Sequence, residues 1–349
     1  MPHAAILRIA YHLPENEVTN ANLAKDFEDW DADKIFDKTG IAARRIAGGG
    51  EVASDLAFEA AENLFRAAPE LRGKVDFLLY CTQSPDFFLP ATACILQDRL
   101  KLRTSTGALD VNQGCSGFVY GLALANGLIE SGAARNVLLL TADTYSKYLN
   151  RRDRGVRTVF GDGAAATLIG AVGGDNASLG PFIFGTDGSG AANLIVATGA
   201  GRKPRSSATA IESEDKSGNW RSEDNLFMNG PEIFNFTLKS VPPLVEALLS
   251  KAGTRYEGVD LFVFHQANRF MLDRLRQKIG IPSEKFVLEL EDCGNTVSST
   301  IPIAMQRVAA RGELRAGMSL MLVGFGVGYS WAGVMMRVHP EFGAGNGTE

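Results

Sequence analysis

The sequence has few of the residues that build metal sites and disulfide frameworks. Only 4 cysteines and 4 histidines occur among its 349 residues, and the cysteines lack the CxxC spacing typical of metal sites. We therefore expect no bound metal, and we expect the thiols to be reduced, as in a cytoplasmic protein.

Long apolar runs and excess positive charge are also missing. No stretch approaches the roughly 20 apolar residues that a membrane span needs. The apolar N-terminal stretch contains Arg8 and no small-residue cleavage site, so we expect no signal peptide. The formal net charge is −5, whereas nucleic-acid binders usually carry a basic domain. We therefore expect neither a membrane nor a nucleic acid as a partner.

The chain has the composition of an ordinary globular α/β protein. Hydrophobic residues make up 45% and charged residues 21% of the chain, with 38 glycines, as in typical soluble domains. The length allows one large domain or two medium ones, each with its own core.

Three apolar segments recur in the same order at an offset of about 180 residues. The paired segments begin at Val75 and Val259, at Leu96 and Leu275, and at Ser131 and Arg311. Both copies follow the order strand, helix, strand, helix, strand, with strands apolar enough to be buried. We predict an α/β fold of two duplicated βαβαβ halves, residues 1–180 and 181–349, in one compact unit. Residues 199–226 have a polar, loop-like composition, and we expect this insertion to be a lid or a disordered excursion.

The repeat also places side chains relative to one another. Cys115 aligns with Asn295, and Cys81 aligns with His265. If the halves pack about a pseudo-twofold axis, corresponding loops converge on that axis. Cys115, His265 and Asn295 all follow strands, so this packing would bring them into one pocket.

Cys115 lies where a strand-like run ends and an apolar helix begins. Residues 116–132 are apolar on nearly every face of a helix, which predicts burial. A helix N-terminus stabilises an anion, so we expect a lowered thiol pKa and a good nucleophile. The alternative is that a tight, buried junction between strand and helix simply requires a small residue.

His265 and Asn295 each have a structural alternative as well. A lone histidine at a strand end is often structural, and asparagine is a common helix N-cap. An asparagine amide is also a neutral donor suited to a developing oxyanion. The glycine-rich run at 323–333 follows another strand, and its amides could face the same pocket. It is not a phosphate loop, because no Lys-Ser/Thr pair follows it.

Taken together, these motifs resemble the β-ketoacyl-acyl-carrier-protein synthase III family of the thiolase superfamily. The resemblance runs nearly end to end and rests on KTGIAARRIA (38–47), LPATACILQ (89–97), NQGCSGFVYGL, VFGDGAAATLI, HQAN, GNTVSSTIP and GFGVGYSWAG. It implies a thiolase-like αβαβα layered fold, a homodimer, and a catalytic triad of Cys115, His265 and Asn295. It also implies an oxyanion hole made by the amide of Cys115 and that of Val327 or Gly328.

The reaction implied by the resemblance is a decarboxylating Claisen condensation. Cys115 takes an acyl group from a thioester of coenzyme A or of an acyl carrier protein. A malonyl thioester, expected on acyl carrier protein, then loses carbon dioxide while His265 and Asn295 stabilise its enolate. The product is a β-ketoacyl thioester for fatty-acid or specialised acyl or polyketide synthesis. No permanently bound cofactor is implied.

The chain departs from the family pattern at substrate-binding positions. Lys34 and Lys38 stand where the family has the Trp and Arg that hold the coenzyme A adenine, with Trp30 one helical turn upstream. Phe270 replaces an Arg that contacts the carrier protein, and Leu89 replaces a Phe that crosses the dimer into the acyl pocket. These departures predict a different acyl donor. The basic residues that could steer an acidic carrier are Arg151, Arg152, Arg154, Arg157, Arg269, Arg274 and Arg276.

Three other functions remain alternatives at this point. An acyltransferase of the same fold would pass the acyl group from Cys115 to an alcohol or amine. A hydroxymethylglutaryl-type condensation would need a Glu after the first repeated strand, and CTQSPDFF contains none. A non-catalytic subunit of a heterodimer would not be expected to keep the Cys, His and Asn together.

Overall fold

A computed structural model of the chain describes residues 3–27, 29–173 and 179–342. These residues form fifteen β-strands and nine α-helices. The strands are β1 (His3–His12), β2 (Glu17–Thr19), β3 (Ala43–Arg45), β4 (Phe77–Cys81), β5 (Gly107–Val111), β6 (Asn136–Asp143), β7 (Gly163–Val172), β8 (Leu179–Thr186), β9 (Leu194–Ile195), β10 (Ser213–Glu214), β11 (Trp220–Arg221), β12 (Phe227–Met228), β13 (Leu261–Phe264), β14 (Ser319–Gly326) and β15 (Ser330–Arg337). The helices are α1 (Asn20–Ala24), α2 (Ala32–Thr39), α3 (Ala53–Ala67), α4 (Thr92–Arg99), α5 (Gly117–Glu130), α6 (Arg154–Arg157), α7 (Gly230–Ala252), α8 (Arg269–Ile279) and α9 (Thr300–Ala310).

Two large sheets share one strand order. The first sheet runs β1-β7-β6-β4-β5, and the second runs β8-β15-β14-β13. In the first sheet, β4 and β6 are parallel, and β7 pairs with β6 in the antiparallel sense. In the second sheet, β13 and β14 are parallel, and β15 pairs with β14 in the antiparallel sense. The duplicated architecture agrees with the sequence repeat, while the division at residues 180 and 181 stays a prediction.

The helices form three layers around the two sheets. The central layer contains α5, which contacts strands of both sheets, and α9, which contacts β1, β7 and β13. Helix α3 covers the outer face of the first sheet, and α7 covers that of the second. The αβαβα fold class is therefore confirmed. Helix α5 is less buried than expected, because Leu124 on its outer side is 43% exposed in the single chain.

One predicted strand of the second repeat is absent. Residues 286–290 lie where the repeat order places its middle strand, but they make only an isolated bridge between Phe286 and Phe262. The side chain of Gln266 takes the place of further strand pairing. Its Nε2 donates to the carbonyl of Val287 at 3.2 Å, and its Oε1 accepts from the amide of Glu289 at 2.8 Å.

The insertion at 199–226 is ordered, so the expectation of a disordered excursion was wrong. It contains a hairpin of β10 and β11 that packs against the segment before α6. Arg221 pairs with the buried Asp153 at 2.5 Å, and Asn150 Nδ2 donates to Glu212 at 2.7 Å. Across the residues that the structure describes, no helix has both the length and the apolar character needed to cross a membrane.

Candidate active site

Cys115 lies in the turn between β5 and α5, against strand β14. A Cβ atom on Gly326 would be only 2.8 Å from the Cys115 sulfur, and one on Gly324 would be 2.8 Å from the Cys115 carbonyl oxygen. The next residue, Ser116, shares a 2.7 Å hydrogen bond with Ser330 of β15. The glycines of β14 therefore allow a strand of the second sheet to touch the nucleophile candidate directly.

Burial dominates the acidity of this thiol. Cys115 is 4% exposed, and burial raises its pKa to about 12, although the Val327 amide and its own amide hydrogen-bond the sulfur and oppose the rise. This direction is opposite to the one expected from the helix N-terminus, because loss of hydration outweighs the two amide hydrogen bonds. The two amides are the ones predicted for the oxyanion hole. Gly328 is the next residue along the chain, and its participation stays a prediction.

His265 follows β13 and is almost wholly buried. Its Nδ1 is 2.8 Å from the Thr300 hydroxyl, and its Nε2 is 3.4 Å from Asn295 Nδ2. The ring meets Phe325 edge-on at 5.6 Å. Burial lowers the pKa of His265 to about 3, so the imidazole is neutral at physiological pH.

Asn295 is oriented by its own loop. Its Oδ1 accepts from the Val297 amide at 2.9 Å, which directs Nδ2 toward His265. Its main chain bonds the strand-like segment of Val159 and Gly161, at 3.0 and 3.1 Å. Asn295 does not cap helix α9, which begins five residues later at Thr300. The helix-cap alternative is thus removed.

The three predicted residues line one cavity of about 300 Å³. Its remaining wall is mostly apolar. The wall includes Val159, Phe160, Leu194, Met228, Ile233, Phe234, Phe270, Met271 and Phe325. A thiol, a neutral imidazole and an amide donor therefore share a largely apolar cavity, where electrostatic interactions are stronger than in bulk water. Among the described residues, no cluster of His, Cys, Asp or Glu side chains could hold a metal ion.

Sequence reasoning missed Arg44, which lies inside the KTGIAARRIA motif. Its guanidinium is buried, has no carboxylate partner among the residues that the structure describes, and donates to Asn20 Oδ1 at 2.8 Å and to the Thr158 carbonyl at 2.9 Å. Burial lowers its pKa to about 10. Arg44 thereby holds the segment that bonds Asn295. The adjacent Arg44 and Arg45 of the motif were the sequence feature that could have indicated this role.

The arginines expected to steer a carrier protein are engaged within the chain. Arg151 and Arg157 both pair with Asp26, at 2.8 and 3.0 Å. Arg152 pairs with Glu212 of the insertion at 2.5 Å, and Arg154 donates to the Ser217 carbonyl in the hairpin turn. Arg269 pairs with Glu291 at 3.0 Å, and Arg276 donates to the Ile281 carbonyl at 3.0 Å. The insertion thus competes for the charges that an acidic partner would use.

The other predicted substrate positions separate into two groups. Phe270 lines the cavity, is 51% exposed and stacks on Phe234 at 5.6 Å. Arg274 lies over the ring of Phe270 at 5.6 Å. Leu89 is 82% exposed and does not line the cavity of its own chain.

Trp30 lies close to the two lysines that replace the family's adenine-binding pair. The ammonium groups of Lys34 and Lys38 are 5.9 and 5.4 Å from its ring centre, and the Arg154 guanidinium is 5.6 Å away. Trp30 precedes helix α2, which begins at Ala32, so the chain before the helix, and not a helical turn, brings the aromatic ring next to these positions.

Known proteins share both the sequence and the fold. Models of 3-oxoacyl-[acyl-carrier-protein] synthase III match residues 109–188, and models of its C-terminal part match residues 249–338. A β-ketoacyl-[acyl-carrier-protein] synthase III of Caldanaerobacter subterraneus is 34% identical over 334 residues, 96% of this chain and 97% of the relative. A crystal structure of a 3-oxoacyl-(acyl-carrier-protein) synthase III is 57% identical, with a TM-score of 0.95 over 96% of this chain and all of the other. The priming β-ketosynthase of the R1128 polyketide pathway is 27% identical, with a TM-score of 0.84 over 97% and 96% of the two chains.

The layered fold and the thiol-imidazole-amide cavity define an acyltransferase built on the thiolase-like architecture. The chain belongs to the β-ketoacyl-acyl-carrier-protein synthase III family.

Proposed function

We propose that this protein performs a decarboxylating Claisen condensation between an acyl thioester and a malonyl thioester carried by acyl carrier protein. The observation that carries the proposal is that Cys115, His265 and Asn295 line one largely apolar cavity. The names of the relatives support the reaction class and its place in fatty-acid or polyketide synthesis.

In the first half-reaction, the Cys115 sulfur attacks the acyl thioester carbonyl. Because the thiol pKa is about 12, the proton leaves during attack, and neutral His265 is the base within the cavity. The amides of Cys115 and Val327 stabilise the oxyanion of the tetrahedral intermediate. The donor thiol then leaves with the proton, and the acyl group remains on Cys115.

In the second half-reaction, a malonyl thioester binds against the acyl-enzyme. Its C–C bond to the carboxylate breaks, carbon dioxide leaves, and the electron pair forms an enolate. His265 and Asn295 donate hydrogen bonds to the enolate oxygen, and each such donor contributes about 3 kcal/mol when preorganised. The enolate carbon attacks the acyl carbonyl, and the Cys115 thiolate leaves and regains a proton from solvent.

We further propose a cytoplasmic homodimer as the working form. The residues at 87–89 and Leu109 on the open edge of β5 expose large apolar side chains, and a second copy would cover them. The dimer would direct Leu89 toward the partner's cavity. Trp30 with its three cations supports a phosphate-bearing donor such as coenzyme A, with no permanently bound cofactor.

Acyl transfer to an alcohol or amine is the second candidate. That reaction also needs an acylated Cys115 and a base. It does not need a second donor beside the base, whereas Asn295 is held beside His265 by its own loop. The geometry therefore favours condensation.

The test is intact-protein mass spectrometry in two steps. Wild-type protein, Cys115→Ala and the control Cys94→Ala, which changes an exposed thiol, are incubated with acyl thioesters of coenzyme A and of acyl carrier protein. Malonyl carrier protein is then added, and carbon dioxide release is measured. We expect an acyl adduct in wild type and Cys94→Ala that is absent in Cys115→Ala and is discharged with carbon dioxide release.

Two results would change the conclusion. An adduct that malonyl carrier protein cannot discharge, but an alcohol or amine can, would move the assignment to simple acyl transfer. Equal adducts in wild type and Cys115→Ala would remove Cys115 as the nucleophile.

A further inference from the structure

Thr300, the first residue of α9, contacts the imidazole of His265 from the side opposite the reaction. Its hydroxyl is 2.8 Å from Nδ1 of His265 and 3.1 Å from the carbonyl oxygen of Val297. Thr300 is 2% exposed, so solvent does not compete for these contacts. The hydroxyl has one proton and two lone pairs, so it can act either as donor or as acceptor toward the ring.

The two half-reactions proposed above require opposite tautomers of a neutral His265. Accepting the Cys115 proton requires an unprotonated Nε2, with the ring proton on Nδ1. Donating to the malonyl thioester oxygen requires a proton on Nε2, with Nδ1 bare. A buried ring nitrogen without a hydrogen-bond partner destabilises the tautomer that leaves it so, and the partner of Nδ1 therefore controls which tautomer is accessible.

Thr300 can satisfy Nδ1 in both states. When the hydroxyl donates to the Val297 carbonyl, its lone pair accepts from Nδ1–H, and Asn295 Nδ2 donates to the bare Nε2. When the hydroxyl rotates to donate to Nδ1, Nε2 carries the proton and faces the cavity. In the change of tautomer, Nε2 gains a proton from the cavity and Nδ1 releases its proton to solvent during a local opening of the site between substrates.

We propose that Thr300 is a positioning residue that lets His265 serve as base in acylation and as donor in decarboxylation, an inference that rests on the proposed function. The other neighbours of Nδ1 cannot do this. The Val297 carbonyl only accepts, and Phe325 contacts the ring edge-on without a polar group. A side chain of the same shape without a hydroxyl would hold His265 in the Nδ1–H tautomer.

The test compares Thr300→Val with Thr300→Ser. Valine keeps the shape and loses the hydroxyl, whereas serine keeps the hydroxyl. Thr237→Val is the matched control, because Thr237 is also buried and its hydroxyl bonds only a helix carbonyl, that of Ile233 at 2.8 Å. Single-turnover acylation of Cys115 and discharge of the acyl-enzyme by malonyl carrier protein are timed separately.

We expect Thr300→Val to slow discharge about a hundredfold, the usual effect of losing one oxyanion donor, while acylation stays near the wild-type rate. Thr300→Ser and Thr237→Val should keep both rates. Equal slowing of both half-reactions, or of neither, would overturn the inference. A wild-type protein that is acylated but not discharged would instead overturn the proposed condensation, and the tautomer role with it.

The tautomer is read independently of activity by NMR of protein labelled with 15N-histidine. The chain has only 4 histidines, and His265→Asn assigns the signal of His265. We expect the wild-type imidazole to show averaged Nδ1 and Nε2 shifts, and Thr300→Val to show a single Nδ1–H form. Identical shifts in the two proteins would contradict the inference even if the rates differ.

Discussion

At Cys115, hydrogen bonding and burial act on the sulfur in opposite directions. The amides of Val327 and of Cys115 stabilise the thiolate, whereas burial disfavours it more strongly and raises the pKa to about 12. The resting thiol is therefore protonated, and its reactivity depends on a base that acts during attack. The lowered pKa of His265, about 3, keeps its imidazole neutral and so able to accept a proton, but it also makes the ring a weaker base than a free imidazole.

The raised pKa of Cys115 predicts how fast its thiol is alkylated at different pH values. At pH 8, a thiol with a pKa near 12 is ionised about a thousandfold less than a free cysteine. The rate of Cys115 modification by iodoacetamide should therefore keep rising with pH beyond 10, without a plateau near 8.5. Peptide-resolved mass spectrometry measures the rate, and urea-unfolded protein is the reference. A plateau between pH 6 and 8 would show that the amide and helix dipoles outweigh burial.

The same shift affects stability. The folded pKa of Cys115 lies above the unfolded value, so the unfolded chain loses its proton first as pH rises. This cysteine therefore lowers the free energy of unfolding as pH rises from about 8.5 toward 12. Below pH 8 its contribution is constant.

At the scale of elements, a buried ion pair joins the hairpin of β10 and β11 to the segment before α6. The Arg221 and Asp153 side chains are 16% and 2% exposed and 2.5 Å apart. Burial raises the pKa of Asp153, and Arg221 opposes that rise. Asp153 also caps α6 by accepting from the Gly155 amide, so the pair joins the insertion to the segment that leads toward Val159.

Arg221→Met should lower the free energy of unfolding by about 3 kcal/mol, because it leaves Asp153 buried without its cation. It should also expose residues 199–226 to proteolysis. Adding Asp153→Asn should restore part of the loss, since asparagine keeps the cap without the charge. Urea unfolding and limited proteolysis measure both effects.

The control for this prediction is Arg66→Met. Arg66 pairs with Glu59 at 3.4 Å on the surface, where such pairs contribute less than about 1 kcal/mol. Equal destabilisation by the two substitutions would mean that the hairpin does not depend on the buried pair.

For the whole molecule, the edge of the first sheet and the nearby residues 87–89 expose large apolar side chains in the single chain. Phe88 and Leu89 are 84% and 82% exposed, and Leu109 on β5 is 47% exposed. Strand β5 pairs with β4 on one side only. An apolar surface next to an open strand edge favours pairing with another chain.

We expect light scattering to give twice the mass of one chain. The double variant Phe88→Asp, Leu89→Asp should shift the protein toward the monomer, because two charges would be buried at the interface. Ile211→Asp, which changes an exposed side chain of the insertion, should remain dimeric. A wild-type monomer at micromolar concentration, or dissociation by Ile211→Asp as well, would contradict this interface.

The two-sheet fold and the grouping of the candidate site residues can be predicted from the sequence, because the internal repeat shows which residues occupy corresponding positions in the two halves. It aligns Cys115 with Asn295 and predicts that they meet, and the structure brings both into the cavity with His265. The direction of the Cys115 pKa shift could not be predicted from the sequence. It depends on burial against Gly324 and Gly326, which lie more than 200 residues away along the chain.

Long-range contacts of polar side chains also could not be predicted from the sequence. The amide of Gln266 bonds the segment at 287–289 in place of a strand. Arg152 and Arg154 bond the insertion instead of remaining free. Apolar periodicity predicts strands and helices, but it contains no information about which polar side chain will take a distant partner.

The contact between β14 and Cys115 has a consequence for how this protein loses activity. Cys115 follows the turn after a strand of the first sheet, whereas Gly326 ends a strand of the second sheet and His265 follows another. A small separation of the two sheets would disassemble the chemistry while each sheet kept its secondary structure. We therefore expect heating to abolish activity at a lower temperature than the one at which circular dichroism shows loss of secondary structure.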